Sequence, residues 1–350
     1  MNKVLITDPI DQSGIDILSQ VAQVDQKIGI SESDLAAIIQ DYDALMIRSG
    51  TQVTGQIINS SKNLRIIGRA GVGVDNVDVK AATQKGVLVV NSPGGNTIAA
   101  AEHTIAMMLA LSRNIPIANS SMFEGKWERK KFVGNELFKK KLGVVGLGKI
   151  GTHVAKVANA MGMEVLGYDP FVSNERAQQL QVKLSELDIL FQESDYVTLH
   201  LPRTVETENL VDIKVLKSMK NTSKLINCAR GGIIDEEALA EALNNSLIGG
   251  AAIDVYSEEP LNANSPLLKV EKNLILTPHL GASTKEAQEN VAIDVAEQIR
   301  DVLLGLSART AVNIPGLSPD IMDSLKPHLQ LAETLGLLIS QLSGGPIQQL

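Results

Sequence analysis

Short apolar segments rich in Val, Ile and Leu alternate along this chain with longer segments of helical periodicity. The apolar segments are nearly continuous rather than alternating with polar residues, which is typical of parallel strands covered by helices on both faces. Regular alternation of strand and helix favours an α/β architecture built on parallel sheets. The sequence therefore predicts an α/β protein.

The predicted strands fall into two series, which indicates two Rossmann-like, doubly wound α/β domains. A long apolar helix pattern at 96–115 separates the series and is expected to carry the chain into the second domain. A second long pattern, 284–305, could return the chain to the first domain and make that domain discontinuous. The predicted strands are 4–8, 44–49, 64–71 and 87–93, followed by 142–148, 163–170, 195–202, 223–231, 250–256 and 273–279.

Composition narrows the class of protein. A net charge of −8 argues against general binding to nucleic acids or anionic membranes. The one cysteine, Cys228, excludes an intramolecular disulfide framework and indicates a reducing compartment. No apolar run reaches the roughly 18 residues of a membrane span, and the N-terminus lacks the features of a signal peptide. A cytoplasmic protein with no nucleic-acid or membrane partner is predicted.

The segment GLGKIG, residues 146–151, has the spacing G-x-G-x-x-G. This spacing alone is a weak signal, but here a predicted strand precedes it, a helix pattern follows it, and Asp169 ends the next strand. In that context the glycines admit a pyrophosphate to the helix N-terminus, and the acid hydrogen-bonds the adenosine ribose. The motif predicts a dinucleotide site, and a carboxylate at position 169 favours NAD over NADP because it repels a 2′-phosphate.

Histidine is the usual proton-transfer group near neutral pH, and the chain has five. His279 is the best candidate, since it ends the last predicted strand and precedes small residues that allow close approach of a ligand. His200 also ends a strand, where a structural or cofactor-wall role is equally plausible. His103 and His153 lie in helix patterns and are interpreted as surface or packing residues, whereas His328 lies in the tail without an evident partner.

Arg230 follows an apolar strand and is flanked by glycines, at the end of the strand where α/β proteins bind ligands. A guanidinium at such a position can hold a carboxylate in a bidentate grip. The neighbouring strand ends in DVYSEEP, residues 254–260, whose Glu259 could orient His279, although a solvated loop is the alternative. NAD, a proton acceptor and a carboxylate anchor together predict hydride transfer from a 2-hydroxy acid.

These residues resemble those of the D-isomer-specific 2-hydroxyacid dehydrogenases, and the resemblance covers roughly residues 1–314 and continues into the tail. Lys149 departs from the pattern in a minor way, since many relatives carry Arg there. The segment KWERKKF, residues 126–132, is similar to that of the branch acting on 3-phosphoglycerate in the phosphorylated serine pathway. The motifs that carry the resemblance are GRAGVGVDNVD (68–78), GLGKIG (146–151), NCARGGIIDE (227–236), DVYSEEP (254–260) and TPHLGAST (277–284).

The resemblance implies NAD-dependent oxidation of 3-phospho-D-glycerate to 3-phosphohydroxypyruvate, with no metal. Arg230 would bind the substrate carboxylate, His279 would accept the hydroxyl proton, and Glu259 would orient His279. Cofactor contacts are expected at Val72, Gly146, Gly148, Lys149, Ile150, Gly151, Asp169, Leu201, Cys228, Ala229, Arg230, Asp254, His279, Leu280, Gly281 and Ala282. Substrate contacts are expected at Arg48, Arg69, Val72, Gly73, Arg129, Arg230 and His279.

The resemblance also implies the domain organisation. A substrate-binding domain would comprise 1–95 and 288–314, and an NAD-binding domain would comprise 96–287. The tail, 315–350, is expected to be helical from Pro327. It is similar to the start of an intervening regulatory region in longer relatives, and a naturally short form with a packed terminal helix is the alternative.

A homodimer or tetramer is expected, because in similar enzymes the basic segment 126–132, called here the basic arm, contacts the second subunit. Trp127 and Phe132 would anchor that contact, and Arg129 could complete the neighbouring phosphate site. Within one subunit, Arg48 and Arg69 are the candidates for phosphate binding, with surface salt bridges as the alternative.

Two other functions stay open at this point. Another D-2-hydroxyacid dehydrogenase, of the glyoxylate/hydroxypyruvate or D-lactate type, would not need Arg48, Arg69 and the basic arm. A non-catalytic NAD-sensing module, like the transcriptional co-repressors on this scaffold, could retain the catalytic residues. Such a module would be expected to show a groove for a partner peptide.

Overall fold

Two parallel sheets organise the chain, which a computed structural model describes over residues 1–314 and 319–342. The strands of the first sheet are β1 (Asn2–Ile6), β2 (Ala22–Gln26), β3 (Ala44–Ile47), β4 (Ile66–Arg69) and β5 (Leu88–Asn91). The strands of the second sheet are β6 (Lys141–Val145), β7 (Glu164–Tyr168), β8 (Lys183–Leu184), β9 (Tyr196–Leu199), β10 (Lys224–Asn227), β11 (Gly250–Ile253) and β12 (Leu274–Leu276).

Both sheets are doubly wound. The five strands of the first are ordered β2-β1-β3-β4-β5, and the seven of the second are ordered β12-β11-β10-β9-β6-β7-β8. The strand order therefore reverses between β1 and β3 in one sheet and between β6 and β9 in the other. Ligands of such sheets bind outside the carboxyl ends of the strands at these switch points. The predicted architecture of two Rossmann-like α/β units is confirmed.

Helices cover the faces of both sheets. Those associated with the first sheet are α1 (Gln12–Ser19), α2 (Glu32–Ile38), α3 (Gly55–Ser60), α4 (Val79–Lys85) and α12 (Lys285–Leu303). Those associated with the second are α5 (Thr97–Ser112), α6 (Ile115–Phe123), α7 (Lys149–Ala160), α8 (Asn174–Gln179), α9 (Leu187–Glu193), α10 (Ile213–Ser218) and α11 (Glu236–Asn244). Short 3-10 turns occupy Ile39–Asp41, Arg129–Phe132 and Pro266–Lys269, and α13 (Pro319–Leu342) lies in the tail.

Helix α12 comes late in the chain but packs on the first sheet. Its Val295 and Ile299 lie so close to Gly68 of β4 that a Cβ on Gly68 would overlap with both side chains. Residues that follow α12 then pair with the edge of the sheet, where the Val312 amide donates to the Val89 carbonyl at 2.8 Å. The chain thus leaves the first sheet through α5 and returns through α12. The boundaries of the two domains stay predictions.

The strands that the sequence pattern misses are the edge strands β2 and β8. An edge strand has one side in water, so β2 carries Gln23, Asp25 and Gln26, which break the apolar run. Strand β8 has only two residues. Both lack the long apolar segment that identifies the central strands, because neither is buried on all sides.

The predicted start of the tail helix at Pro327 is wrong. Helix α13 begins at Pro319, and Pro327 lies inside it. The helix continues through Pro327 with the loss of one backbone hydrogen bond. The predicted stripe of Leu331, Leu335, Leu338 and Leu342 is exposed. None of the described helices is long and apolar enough to span a membrane.

Candidate active site

The predicted site residues follow the carboxyl ends of strands in both sheets. In the second sheet, Gly146 follows β6, Arg230 follows β10 and His279 follows β12. In the first sheet, Arg48 follows β3 and Arg69 ends β4. Since parallel strands bring their carboxyl ends to one edge, each sheet collects its candidate residues there. The two groups meet where Nε of Arg230 lies 3.5 Å from Oδ2 of Asp75, in the loop after β4.

His279 and Glu259 form a direct pair. Nδ1 of His279 lies 2.6 Å from Oε2 of Glu259, and Oε1 of Glu259 accepts from the Tyr256 amide at 3.0 Å. Burial acts to raise the pKa of Glu259, but the hydrogen bonds from His279 and Tyr256 lower it below its usual value. An ionised carboxylate only accepts hydrogen bonds, so Nδ1 carries the proton. Nε2 of His279 is therefore left as the proton acceptor.

Arg230 is held by groups from both sheets. Nη1 donates to the Ala229 carbonyl at 2.7 Å, and the guanidinium is about one third exposed, with 30% of the side chain accessible. A Cβ on Gly73 would overlap with Nη2 of Arg230 and Oδ2 of Asp75, so glycine lets both side chains lie against the loop after β4. The remaining donors of the guanidinium are available for a ligand carboxylate.

Arg69 lies close to Arg230 and Arg48. Burial, then the positive charge of Arg230, lowers the pKa of Arg69 to about 10; Arg48 adds to this effect, whereas Asp75 opposes it. Nε of Arg69 is buried and has no hydrogen-bond partner among the described residues. A buried donor without an acceptor costs about 1–3 kcal/mol, so this arrangement suits an anionic ligand.

The loop that carries Arg48 is fixed through its backbone. Oδ2 of Asp8 accepts from the Arg48 amide at 2.6 Å, and Nδ2 of Asn76 donates to the Arg48 carbonyl at 2.7 Å. The Arg48 guanidinium itself makes no hydrogen bond or ion pair with a described residue. Its charge is therefore free to bind an anion. Arg129 also makes no such bond within residues 1–314, and it does not join this cluster in the same chain.

The glycine-rich loop fits a dinucleotide. A Cβ on Gly146 would overlap with the His200 carbonyl, and one on Gly151 would overlap with the Gly146 carbonyl, whereas one on Gly148 would meet open space. No side chain caps α7 at Gly148, so the first amides of the helix are available for a phosphate. Oδ2 of Asp169 accepts from the Leu147 amide at 2.8 Å, which joins this carboxylate to the loop.

The segment before α5 faces the same loop. A Cβ on Gly94 would lie 3.3 Å from Nζ of Lys149. Two polar atoms of this segment, Oγ of Ser92 and Oδ1 of Asn96, are buried without a hydrogen-bond partner. Together with Nε of Arg69, they complete the set of such side-chain atoms in the part of the chain that the structure describes. Buried polar atoms are normally hydrogen-bonded, so the unpaired atoms of this segment are candidates for contact with a bound ligand.

Several other predicted cofactor residues have their polar groups already engaged. Burial raises the pKa of the Cys228 thiol to about 12, so it stays protonated. The side chain of Asp254 is completely buried and bonded within the protein. The Ala229 amide donates to Oδ1 of Asn227, and the Val72 carbonyl accepts from Asn91. The apolar residues Ile150 and Leu201 pack against the cores of the second sheet, and Leu280 and Ala282 remain accessible in the loop after β12. Contacts of all these residues with a cofactor stay predictions.

Two histidines differ in character from His279. Burial lowers the pKa of His200 to about 4, so its imidazole is neutral, and Nε2 lies 3.0 Å from Oγ1 of Thr198. His103 is more than a packing residue, because Nε2 lies 3.2 Å from Oδ1 of Asp254. Asp254 is distant in sequence and belongs to another element. A pattern along one helix therefore gave no signal for this contact.

Comparison with known proteins points to one family. The model of the NAD binding domain of D-isomer specific 2-hydroxyacid dehydrogenases matches residues 105–281. A D-3-phosphoglycerate dehydrogenase from Synechocystis sp. is 63% identical over 350 residues, which are 100% of this chain and 63% of that protein. The chain thus spans less than two thirds of the length of this relative.

Solved structures share the architecture over most of the chain. The TT0316 protein from Thermus thermophilus is 31% identical with a TM-score of 0.82, covering 89% of this chain and 99% of its own. A D-lactate dehydrogenase from Aquifex aeolicus, complexed with NAD and lactic acid, is 25% identical with a TM-score of 0.80. That similarity covers 90% of this chain and 100% of the other.

Proposed function

Because this chain belongs to the D-isomer-specific 2-hydroxyacid dehydrogenases, whose NAD binding domain it carries, we propose that it oxidises 3-phospho-D-glycerate to 3-phosphohydroxypyruvate. The reaction removes a hydride from C2 and a proton from the C2 hydroxyl. This reaction would be the first step of the phosphorylated pathway of serine biosynthesis.

The observation that carries the choice of substrate is the concentration of positive charge at the site. The chain as a whole is acidic, yet Arg230 and Arg48 lie close enough to Arg69 for their charges to lower its pKa. Nε of Arg69 is buried and unpaired, and the guanidinium of Arg48 has no hydrogen-bond or ion-pair partner among the described residues. A substrate with both a carboxylate and a phosphate would supply the negative charge that this cluster needs.

In the proposed mechanism, different arginines bind the two anionic groups of the substrate. Arg230 binds the carboxylate next to C2, with the backbone at Val72 and Gly73 on the opposite side. Arg48 and Arg69 bind the phosphate, and Arg129 of a second copy could add to that site. Nε2 of His279 accepts the hydroxyl proton, while Glu259 holds Nδ1 and stabilises the imidazolium that forms.

The cofactor would be held by residues of the second sheet. The amides at the start of α7 would bind the pyrophosphate, and Asp169 would bind the adenosine ribose. The chemistry that NAD supplies when bound is acceptance of the hydride from C2. The chain itself contributes binding, orientation and the movement of the proton.

A substrate panel with NAD tests the proposal. We expect 3-phosphoglycerate to be turned over with a kcat/KM well above those of glycerate and lactate. A preference for glycerate or lactate would instead support a dehydrogenase for an unphosphorylated D-2-hydroxy acid. A protein that binds NAD but oxidises none of the three would support a non-catalytic module.

We expect a strong preference for NAD over NADP, because Asp169 would face the 2′-phosphate. Asp169→Ala should reduce the preference for NAD over NADP. The variant loses a charged hydrogen bond to NAD, which should weaken NAD binding by an amount on the order of 1.5–3 kcal/mol. Asp169→Asn keeps hydrogen-bonding capacity without the charge and is the matched control. The measurement is the initial rate with each cofactor. Equal or better turnover of NADP by the unaltered protein would rule out the role of Asp169 in excluding the 2′-phosphate.

We also expect a dimer built around residues 96–132. Phe123 and Trp127 are 87% and 80% exposed, an unfavourable state for large apolar side chains unless a second subunit covers them. Light scattering at micromolar concentration should give at least twice the chain mass of 37.5 kDa. Trp127→Asp should weaken the assembly, whereas Phe171→Asp, at another exposed aromatic residue, should not. A monomer of the unaltered protein would contradict the prediction.

A further inference from the structure

A second histidine lies behind the loop that carries His279. This loop comprises residues 277–281 and is called here the His279 loop. His103, on α5, has Nε2 3.2 Å from Oδ1 of Asp254 and 3.4 Å from Oγ1 of Thr277. The His103 side chain is 19% exposed, and that of Asp254 is 0% exposed. His103 thus contacts a buried carboxylate behind the proposed proton acceptor. It makes no contact with the arginine cluster of Arg48, Arg69 and Arg230.

Asp254 holds the His279 loop on both sides of His279. Oδ1 of Asp254 accepts from Oγ1 of Thr277 at 2.5 Å and from the Leu280 amide at 2.7 Å. Oδ2 accepts from the Gly281 amide at 2.9 Å, and the Asp254 carbonyl accepts from the His279 amide at 2.9 Å. The backbone of His279 is left-handed, with φ 54°, a conformation that a non-glycine residue needs such contacts to maintain. The position of the imidazole therefore depends on Asp254.

His103 in turn supports the charge of Asp254. A carboxylate completely removed from water is strongly destabilised unless donors surround it. Burial acts to raise the pKa of Asp254, but hydrogen bonds from His103, Thr277 and Leu280 lower it below its usual value. Thr277 and Leu280 belong to the His279 loop, whereas His103 lies on α5. His103 is therefore the donor that reaches Asp254 from outside the loop.

A metal site is the alternative interpretation of this cluster. His103, Cys228 and Asp254 bring one nitrogen, one sulfur and one oxygen within 4.8 Å of one another, and zinc binds such donors. However, both oxygens of Asp254 already accept hydrogen bonds from the His279 loop. Oδ1 also accepts from Oγ1 of Thr277 at 2.5 Å, so a metal ion would have to displace these contacts. These features favour a role in positioning over metal binding.

We propose that His103 is a positioning residue, which fixes the His279 loop through Asp254 and thereby sets the location of the imidazole that accepts the substrate proton. The kinetic part of this inference rests on the proposed function. The structural part, that His103 restrains the amides of Leu280 and Gly281, does not. The two parts call for separate measurements.

The test compares His103→Leu, which removes the donor, with His103→Gln, whose amide can still donate to Asp254. His103→Leu should lower kcat for 3-phosphoglycerate on the order of 10–100-fold, as expected for a small displacement of a reacting group. KM for 3-phosphoglycerate should change less, because the arginine cluster is untouched. His103→Gln should restore most of kcat. His328→Leu, at an exposed histidine of α13, is the matched control and should behave like the unaltered protein.

Hydrogen exchange measured by mass spectrometry supplies a readout that is independent of activity. Peptides covering the His279 loop should exchange faster in His103→Leu than in the unaltered protein, and His103→Gln should restore the protection. If His103→Leu does not fold, His103→Asn, which is polar but too short to reach Asp254, replaces it under the same criteria. Unchanged kcat together with unchanged exchange would overturn the proposal. An inactive unaltered protein would refute the proposed function, while the exchange comparison would still decide this inference.

Discussion

Replacing His279 with alanine should lower kcat for 3-phosphoglycerate oxidation by about 10²–10⁴-fold, the usual contribution of a positioned general base. The hydroxyl proton would then have no acceptor in the protein, since Glu259 faces Nδ1 rather than the substrate side of the ring. Binding of NAD, followed by fluorescence titration, should stay close to that of the unaltered protein.

Glu259→Gln is the companion variant for this experiment. It keeps an oxygen that can accept from Nδ1 of His279 but removes the charge that stabilises the imidazolium. We therefore expect a loss of kcat smaller than that of His279→Ala. A His279→Ala protein with normal kcat would show that the proton leaves by another route. A larger loss in Glu259→Gln than in His279→Ala would reverse the roles assigned to the two residues.

The second large effect concerns Arg230, which should respond differently from the two arginines of the first sheet. Arg230→Ala should reduce kcat/KM for every 2-hydroxy acid tested, by about 10²–10³-fold, because this guanidinium would stabilise the negative charge that develops on the C2 oxygen. Arg230→Lys keeps a charge without the planar, bidentate geometry and should recover only part of the loss.

Arg48→Ala and Arg69→Ala should instead raise KM for 3-phosphoglycerate, each by the equivalent of about 1.5–3 kcal/mol for a charged hydrogen bond. Rates with unphosphorylated hydroxy acids should change little, because neither side chain would touch C2. These two patterns separate anchoring of the reacting end from anchoring of a remote phosphate. Normal kinetics with 3-phosphoglycerate in both variants would disprove the assignment of the phosphate site.

The features that could be predicted from the sequence are those that a short segment encodes completely. The spacing of Gly146, Gly148 and Gly151, together with the strand before them and the helix after them, is enough to predict the glycine loop. The central strands are buried on all sides, so their apolar runs identify them. The pair of His279 and Glu259 was also accessible to prediction, because each residue lies in the loop after a strand of the same parallel sheet, β12 and β11 respectively.

The features that escaped prediction depend on contacts between distant segments. His103 and Asp254 meet only because α5 packs beside β11 and β12, and no periodicity within α5 distinguishes a face that contacts a carboxylate. The contact of Arg230 with Asp75 likewise joins the two sheets. The side chains of Asp8 and Asn76 fix the loop of Arg48 by bonding to the Arg48 backbone, and a bond to backbone atoms leaves no pattern in the sequence.

The return of α12 to the first sheet also dictates an order of events during translation. One face of that sheet is covered by residues from the first 90 positions, but the other face needs Val291, Val295 and Ile299. Roughly 200 residues separate β5 from these side chains, so at a synthesis rate of about 5–20 residues per second the face waits for about 10–40 s. Meanwhile the strands of the second sheet emerge without interruption. The apolar surface that this face presents is thus among the first to leave the ribosome and among the last to be buried.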